Sequence, residues 1–176
     1  GLEPPRQVFG HGWLLVGGEK MSKSKLTGIS PNQITDIFGS DAFRYYFMKA
    51  IGFGSDGSFS RDDLSARYHS ELANGFGNLA SSTVAMVNRY FDGVIQAPGE
   101  FTEADKNVSN IAATASREAD LAIAQIAPHE AIASIWKLVD ELNSYIATQE
   151  PWVLAKDPAN KVRLSTVLYT AVEGLR

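Results

Sequence analysis

Residues 60–93 read SRDDLSARYHSELANGFGNLASSTVAMVNRYFDG. In this run Leu64, Tyr68, Leu72, Phe76, Leu79, Thr83, Met86, Val87 and Tyr90 recur at steps that keep them on one side of a helix. That period predicts a single long amphipathic helix with one buried face. Ser60 supplies an N-cap with Asp63 at the reciprocal box position, and Asp92-Gly93 supplies the exit. Gly75 and Gly77 interrupt the run, each at a cost of about 1 kcal/mol in a helix interior. Glycines held there despite that cost predict close packing against a neighbour or a local kink.

The helical period continues toward the C-terminus. Gly93 to Phe101, with Pro98-Gly99, reads as a connection. Thr102 opens a second helix with Asp105 at its box position and a stripe of Val108, Ile111, Ala112, Ala115, Ala119 and Ala122. Pro128 opens a third, carrying Ala131, Ile132, Ile135, Trp136, Val139, Leu142 and Ile146. Gln149-Glu150-Pro151 interrupts, and Asp157-Pro158 starts the last, with Leu164, Val167, Leu168, Ala171, Val172 and Leu175. That stripe runs almost to Arg176 without a closing cap, which predicts further chain beyond it.

Upstream the pattern differs. Val8-Phe9 and Trp13 to Val16 read as short buried strands ending in a Gly17-Gly18 turn. Ser30 offers an N-cap, Pro31 the first helical position and Gln33 a capping-box partner, and Gly39 stops that helix. Another begins at Ser40 or Asp41 with Phe43, Tyr46, Phe47 and Ala50 inward. Gly52 to Ser60 reads as a loop ending in a short strand near Ser58-Phe59. The expected fold is mainly α, a small α/β region over residues 1–59 followed by a helical bundle over 60–176.

Composition excludes several classes. An apolar fraction of 44% and a charged fraction of 20% are those of a soluble globular protein. No apolar run approaches the roughly 20 residues that span a bilayer. The N-terminal residues lack a basic then apolar signal pattern, so the expectation is a cytoplasmic protein with no membrane partner. With no cysteine, and with His11, His69 and His129 scattered, no metal ligand set is expected. A net charge of −4 argues mildly against nonspecific nucleic-acid binding. It leaves open the reading of unstacked RNA bases, which rests on stacking and edge hydrogen bonds as well as on phosphates.

Between the strands and the first helix stands Lys20-Met21-Ser22-Lys23-Ser24, framed by Gly17-Gly18 and by Gly28-Ile29-Ser30-Pro31. Two compact cations and two hydroxyls on one loop suit a polyphosphate. A charge run of this kind is also the ordinary makeup of a solvated loop. The order of the five residues resembles the KMSKS signature of class I aminoacyl-tRNA synthetases. Around it stand His11-Gly12-Trp13, Asp41-Ala42-Phe43-Arg44-Tyr45-Tyr46, Gly54-Ser55-Asp56-Gly57-Ser58-Phe59-Ser60 and Glu150-Pro151-Trp152-Val153-Leu154-Ala155-Lys156-Asp157. Together these resemble the C-terminal part of methionyl-tRNA synthetases, over essentially the whole chain.

The resemblance implies a stem-contact region followed by an anticodon-binding helical domain. It implies that Lys23, assisted by Lys20, stabilises the transition state of amino-acid adenylation on ATP with Mg2+. Met21, Ser22 and Ser24 complete the phosphate-binding loop. Cations placed where charge develops on the α-phosphate and on departing pyrophosphate favour the transition state over the ground state. Lys25-Leu26-Thr27 departs from the Gly-Asn pair of many relatives and adds a third cation. On the helical side the resemblance implies anticodon contacts from Asn88, Arg89, Pro151 and Trp152. By residue type alone, Asn88 is equally a helix-end amide and Trp152 a plug for the bundle end.

The family's HIGH motif, a Rossmann unit and the cysteines of its zinc insertion are not in this sequence. The implied partners are therefore tRNA(Met), ATP, methionine and a catalytic domain outside these residues, without which this chain should not form methionyl-adenylate. A non-catalytic RNA-binding or interaction module, or a related class I synthetase, is the competing reading. Two intact lysines in the signature and the Gly-Ser-Asp-Gly-Ser-Phe-Ser run favour the first.

Overall fold

The computed structural model describes residues 3–21 and 28–176. A three-stranded sheet has the order β2-β1-β3, with β1 Leu14–Val16, β2 Glu19–Lys20 and β3 Gly57–Phe59. β1 and β2 form an antiparallel hairpin with Leu15 opposite Lys20, and β3 joins β1 in parallel with Leu14 opposite Gly57. Gly17 at φ 60° and Gly18 at φ 81° make the turn, a backbone that residues with a Cβ rarely adopt. Val8 and Phe9 do not form the expected strand. Both are exposed, and so is Trp13.

Two helices lean on this sheet, α1 Pro31–Phe38 and α2 Ser40–Ala50, joined through Gly39 at φ 82°. Ile34, Tyr46, Phe59 and Leu64 form their shared core, with Phe43 and Phe47 packed against it. The predicted Ser30–Gln33 box does not form: Ser30 makes no side-chain cap, and the Gln33 N–H donates to the Ser30 carbonyl.

The long helix predicted from Ser60 is continuous in direction but not in type. It runs as α3 Arg61–Arg67, a π-helical stretch Tyr68–Gly77, and α4 Asn78–Phe91. Wider π turns of this kind accompany side chains that an α-helix would place wrongly. Here Gly75 faces Trp136, and a Cβ at Gly75 would lie 3.0 Å from the indole. The expectation of close packing at that glycine therefore holds. The π turns also rotate Phe76 outward, so Phe76 is exposed rather than part of the stripe. At Ser60 only half of the box forms: its Oγ accepts from the Asp63 N–H. The Asp63 carboxylate instead takes the Tyr46 hydroxyl and Arg67 Nε, at 3.0 and 3.1 Å.

The remaining elements are α5 Glu103–Ala124, α6 Pro128–Gln149, the short α7 Pro151–Leu154, a 3-10 turn Pro158–Asn160 and α8 Lys161–Leu175. Leu79, Val108, Val139, Leu142, Tyr145 and Val167 form the bundle core. Ile135, placed on the buried stripe by periodicity, is exposed. Asp157 accepts from the Ala159 N–H and starts the 3-10 turn before α8. Among the described residues no helix is long and apolar enough to cross a membrane.

Two polar assemblies tie the parts together. Glu71 on the π stretch accepts from the Tyr45 hydroxyl at 2.6 Å and pairs with Lys49 at 3.0 Å and Arg67 at 3.3 Å. Lys49 also lies 4.6 Å over the Trp136 ring of α6, so α2, the π stretch and α6 meet there. Burial first, and then the Glu71 carboxylate, push the Tyr45 hydroxyl above its ordinary range. In the bundle, Asp105 completes the Thr102 capping box and is fully buried. Arg163 grips it through both terminal nitrogens, at 2.5 and 3.0 Å, and the Tyr145 hydroxyl donates to it as well.

Candidate functional site

The first candidate site grows from the β1–β2 hairpin. Lys20 ends β2, exposed, and the Met21 N–H donates to the Leu14 carbonyl at 3.0 Å, closing the hairpin. Lys20 Nζ stands 3.2 Å above the centre of the Trp13 ring. Ser22, Lys23 and Ser24 lie outside the described residues, as do Lys25, Leu26 and Thr27. Beside the hairpin opens an apolar groove of about 360 Å³, walled by His11, Trp13, Phe47, Met48, Ile51 and Phe53. The Gly12 backbone abuts the Ser55 carbonyl with no room for a Cβ, and Asp56 accepts from the Trp13 N–H at 2.6 Å. The Gly-Ser-Asp-Gly run thus acts as the clamp that fixes the backbone of Trp13 at the entrance to β1.

The second candidate site lies at the far end of the bundle. Asn88 and Arg89 are exposed on the last turn of α4, and the helix ends at Asp92 (φ 52°) and Gly93 (φ 78°). The Asn88 side chain reaches the Gly93 backbone, where an added Cβ would sit 2.9 Å from its Oδ1. Asn88 is thus set against the end of its own helix. Glu150 turns the chain with φ 46° after α6. Pro151, the first residue of α7, is buried, while Trp152 is 45% exposed.

A groove of about 310 Å³ joins the two stretches, with Arg89 and Tyr90 on one wall and Lys156, Asp157 and Lys161 on the other. Its floor belongs to the cluster of Val87, Phe91, Leu164 and Leu168, so the walls stand on packed core. Arg89 lies 5.7 Å over the Tyr90 ring. Asn88, Pro151 and Trp152 flank this groove in sequence without lining it. Sequence reading passed over Lys161, although a signal existed. It is the first residue of α8, where the helix dipole disfavours a cation.

No group of three or more His, Cys, Asp or Glu suited to a metal occurs among the described residues.

Comparison with known proteins shows what the chain is similar to. The family model described as tRNA synthetases class I (M) matches residues 1–84. The methionine–tRNA ligase of Streptomyces coelicolor is 50% identical over 179 aligned positions, covering 100% of this chain and 33% of the relative. That of Clostridium perfringens is 48% identical over 176, covering 27% of the relative. The chain thus spans about a third or less of the length of these curated relatives. Among solved structures, Mycobacterium tuberculosis methionyl-tRNA synthetase in complex with methionyl-adenylate superposes with a TM-score of 0.93 at 36% identity, covering 99% of this chain and 35% of that one. By sequence along its whole length and by fold, the chain belongs to the methionyl-tRNA synthetase family of class I tRNA synthetases.

Proposed function

We propose that this chain works as part of a cytoplasmic methionine–tRNA ligase, contributing a phosphate-binding loop and an anticodon-reading surface. In this reading residues 1–59 end the catalytic part and 60–176 form the anticodon-binding bundle. The observation that carries it is identity of 48–50% over the full chain with methionine–tRNA ligases. The geometry is compatible at both ends of the molecule.

At the loop, Lys20 and Lys23 meet the phosphates of ATP carrying Mg2+, with Met21, Ser22 and Ser24 shaping the loop. Methionine carboxylate attacks the α-phosphorus, a P–O bond to pyrophosphate breaks, and negative charge grows on the departing oxygens. Lysine ammoniums facing those oxygens stabilise that state more than the ground state. The methionine pocket and the rest of the catalytic domain lie in parts of the family that this chain does not span.

At the far end, Trp152 offers a face for an unstacked anticodon base, beside the turn fixed by Pro151. Arg89, Lys156 and Lys161 offer cations to the anticodon-loop backbone of tRNA(Met), and Asn88 an amide edge. An amide pairs with a base as donor and acceptor, and stacking of a base on an aromatic ring is worth about 1–3 kcal/mol.

A chimera tests the whole reading. This chain replaces the matching third of the Streptomyces coelicolor ligase, and methionine-dependent ATP–pyrophosphate exchange is measured. Activity near the parent level, lost by about 100-fold or more in Lys23→Ala, is the expected result. A folded chimera without exchange activity, or one indifferent to Lys23→Ala, would overturn it in favour of a non-catalytic RNA-binding module.

A further inference from the structure

Trp13 is a large aromatic side chain left 58% exposed immediately before β1, whose Leu14 and Val16 pack on the core. Its backbone is nonetheless held at three points. The Trp13 N–H donates to Asp56 at 2.6 Å, its carbonyl accepts from the Gly57 N–H at 2.9 Å, and the preceding Gly12 is pressed against Ser55. The indole is thus an exposed ring in a fixed place. Over its face, 3.2 Å from the ring centre, sits the ammonium of Lys20. The negative face of an aromatic ring attracts a cation, and indole does so best.

We propose that Trp13 is a positioning residue that places the Lys20 ammonium before phosphate arrives. This rests on the polyphosphate reading of the loop given above. A free lysine side chain samples many rotamers, all but one of which must be given up when it grips an anion. Stacking on Trp13 removes most of that freedom in advance. The ammonium carries three N–H donors, and Lys20 is exposed. It can therefore keep the ring on one side and give hydrogens to phosphate oxygens on the other. The hairpin supports this arrangement, since Lys20 pairs with Leu15 across β1–β2 and Met21 closes onto Leu14.

The test uses this chain, inorganic tripolyphosphate and NMR at low salt. In the wild type the Lys20 ε-protons should resonate upfield of the other lysines, because they lie over the indole. Trp13→Leu should remove that shift and weaken tripolyphosphate binding about two- to five-fold, the range an exposed cation–π contact supplies. Trp13→Phe, which keeps a weaker π face, should restore part of both. Because the Trp13 hydrogen bonds are made by its backbone, both variants should melt with the wild type, and Trp13→Phe keeps the test valid if Trp13→Leu does not. An unshifted Lys20, or a wild type and Trp13→Leu that bind tripolyphosphate equally, or a variant that binds more tightly, would overturn the proposal alone. A wild type that binds no tripolyphosphate would overturn the loop reading, and the proposal with it.

Discussion

Asparagine at position 105 is the perturbation that most sharply tests how the bundle is held. Asp105 is fully buried and accepts from both terminal nitrogens of Arg163, from the Thr102 N–H and Oγ1 at 2.7 and 2.8 Å, and from Tyr145. Burial alone would raise its carboxyl, but the Arg163 pair, then Tyr145 and Thr102, outweigh that and hold it at about 2 against an ordinary 3.8. Asp105→Asn keeps the shape, removes the charge and leaves Arg163 with Gln149 as its remaining partner at 2.6 Å. Removing one member of a buried ion pair costs about 3–5 kcal/mol. For a chain of this size that lowers Tm by roughly 6–20 °C.

The pH dependence supplies a second reading of the same experiment. A carboxyl whose folded pKa is depressed contributes stability that is complete above its unfolded value. That stability is lost as pH falls from about 3.8 through about 2. At about 1.4 kcal/mol per unit, this amounts to roughly 2 kcal/mol. Urea unfolding of wild type and Asp105→Asn at pH 7, 5, 4 and 3 should therefore show a gap that narrows only below about pH 4. A variant within about 1 kcal/mol of wild type at pH 7, or a gap unchanged down to pH 3, would refute the reasoning.

Three further outcomes are expected. Gly12→Ala drives a Cβ into the Ser55 carbonyl oxygen, backbone that cannot yield cheaply, so urea unfolding should show a loss of at least about 1–3 kcal/mol. Glu71→Gln leaves Lys49 and Arg67 without their shared carboxylate. Because the site is partly screened, the loss in thermal stability should be about 1–2 kcal/mol, and a double-mutant cycle with Lys49→Met should be non-additive. Lys161→Gln should weaken binding of an anticodon stem-loop equally whatever its anticodon, and reduce the slope of log K against log salt by about 1.

The helices were legible because their stripes and caps agree. Thr102 with Asp105 reads as a helix start and is one, and the glycines at 75 and 77 mark a departure from ordinary helix. What stayed hidden was tertiary. The spacing of residues 60–93 does not announce ten residues of π-helix, a stretch that packs its Gly75 against Trp136 of another helix. That stretch turns Phe76 outward. The second role of Asp105 depends on Arg163, 58 positions away, and local reading finds only the cap. Ser30 reads as a capping box, but Gln33 bonds its carbonyl through the backbone and leaves the side chain unused. Val8 and Phe9 are apolar enough for a strand but have no partner strand in the three-stranded sheet.

The candidate sites divide the same way. The loop lysines and Trp152 were legible as residue types in order. That Arg89 and Lys161 share one groove was not, since 72 positions separate them along the chain (161 − 89) and only the α4–α8 packing joins them. The stack of Lys20 on Trp13 likewise depends on a hairpin register that composition does not specify.

Binding of this chain to two anticodon stem-loops, one bearing CAU and one with a changed anticodon, bears most directly on the account. The wild type should prefer CAU, and Trp152→Ala should lose about 1–3 kcal/mol of affinity for it, the worth of one base stacked on an aromatic ring. Equal, weak and salt-sensitive binding to both RNAs, unchanged in Trp152→Ala, would contradict the anticodon-reading role and leave the bundle a purely structural part of the ligase.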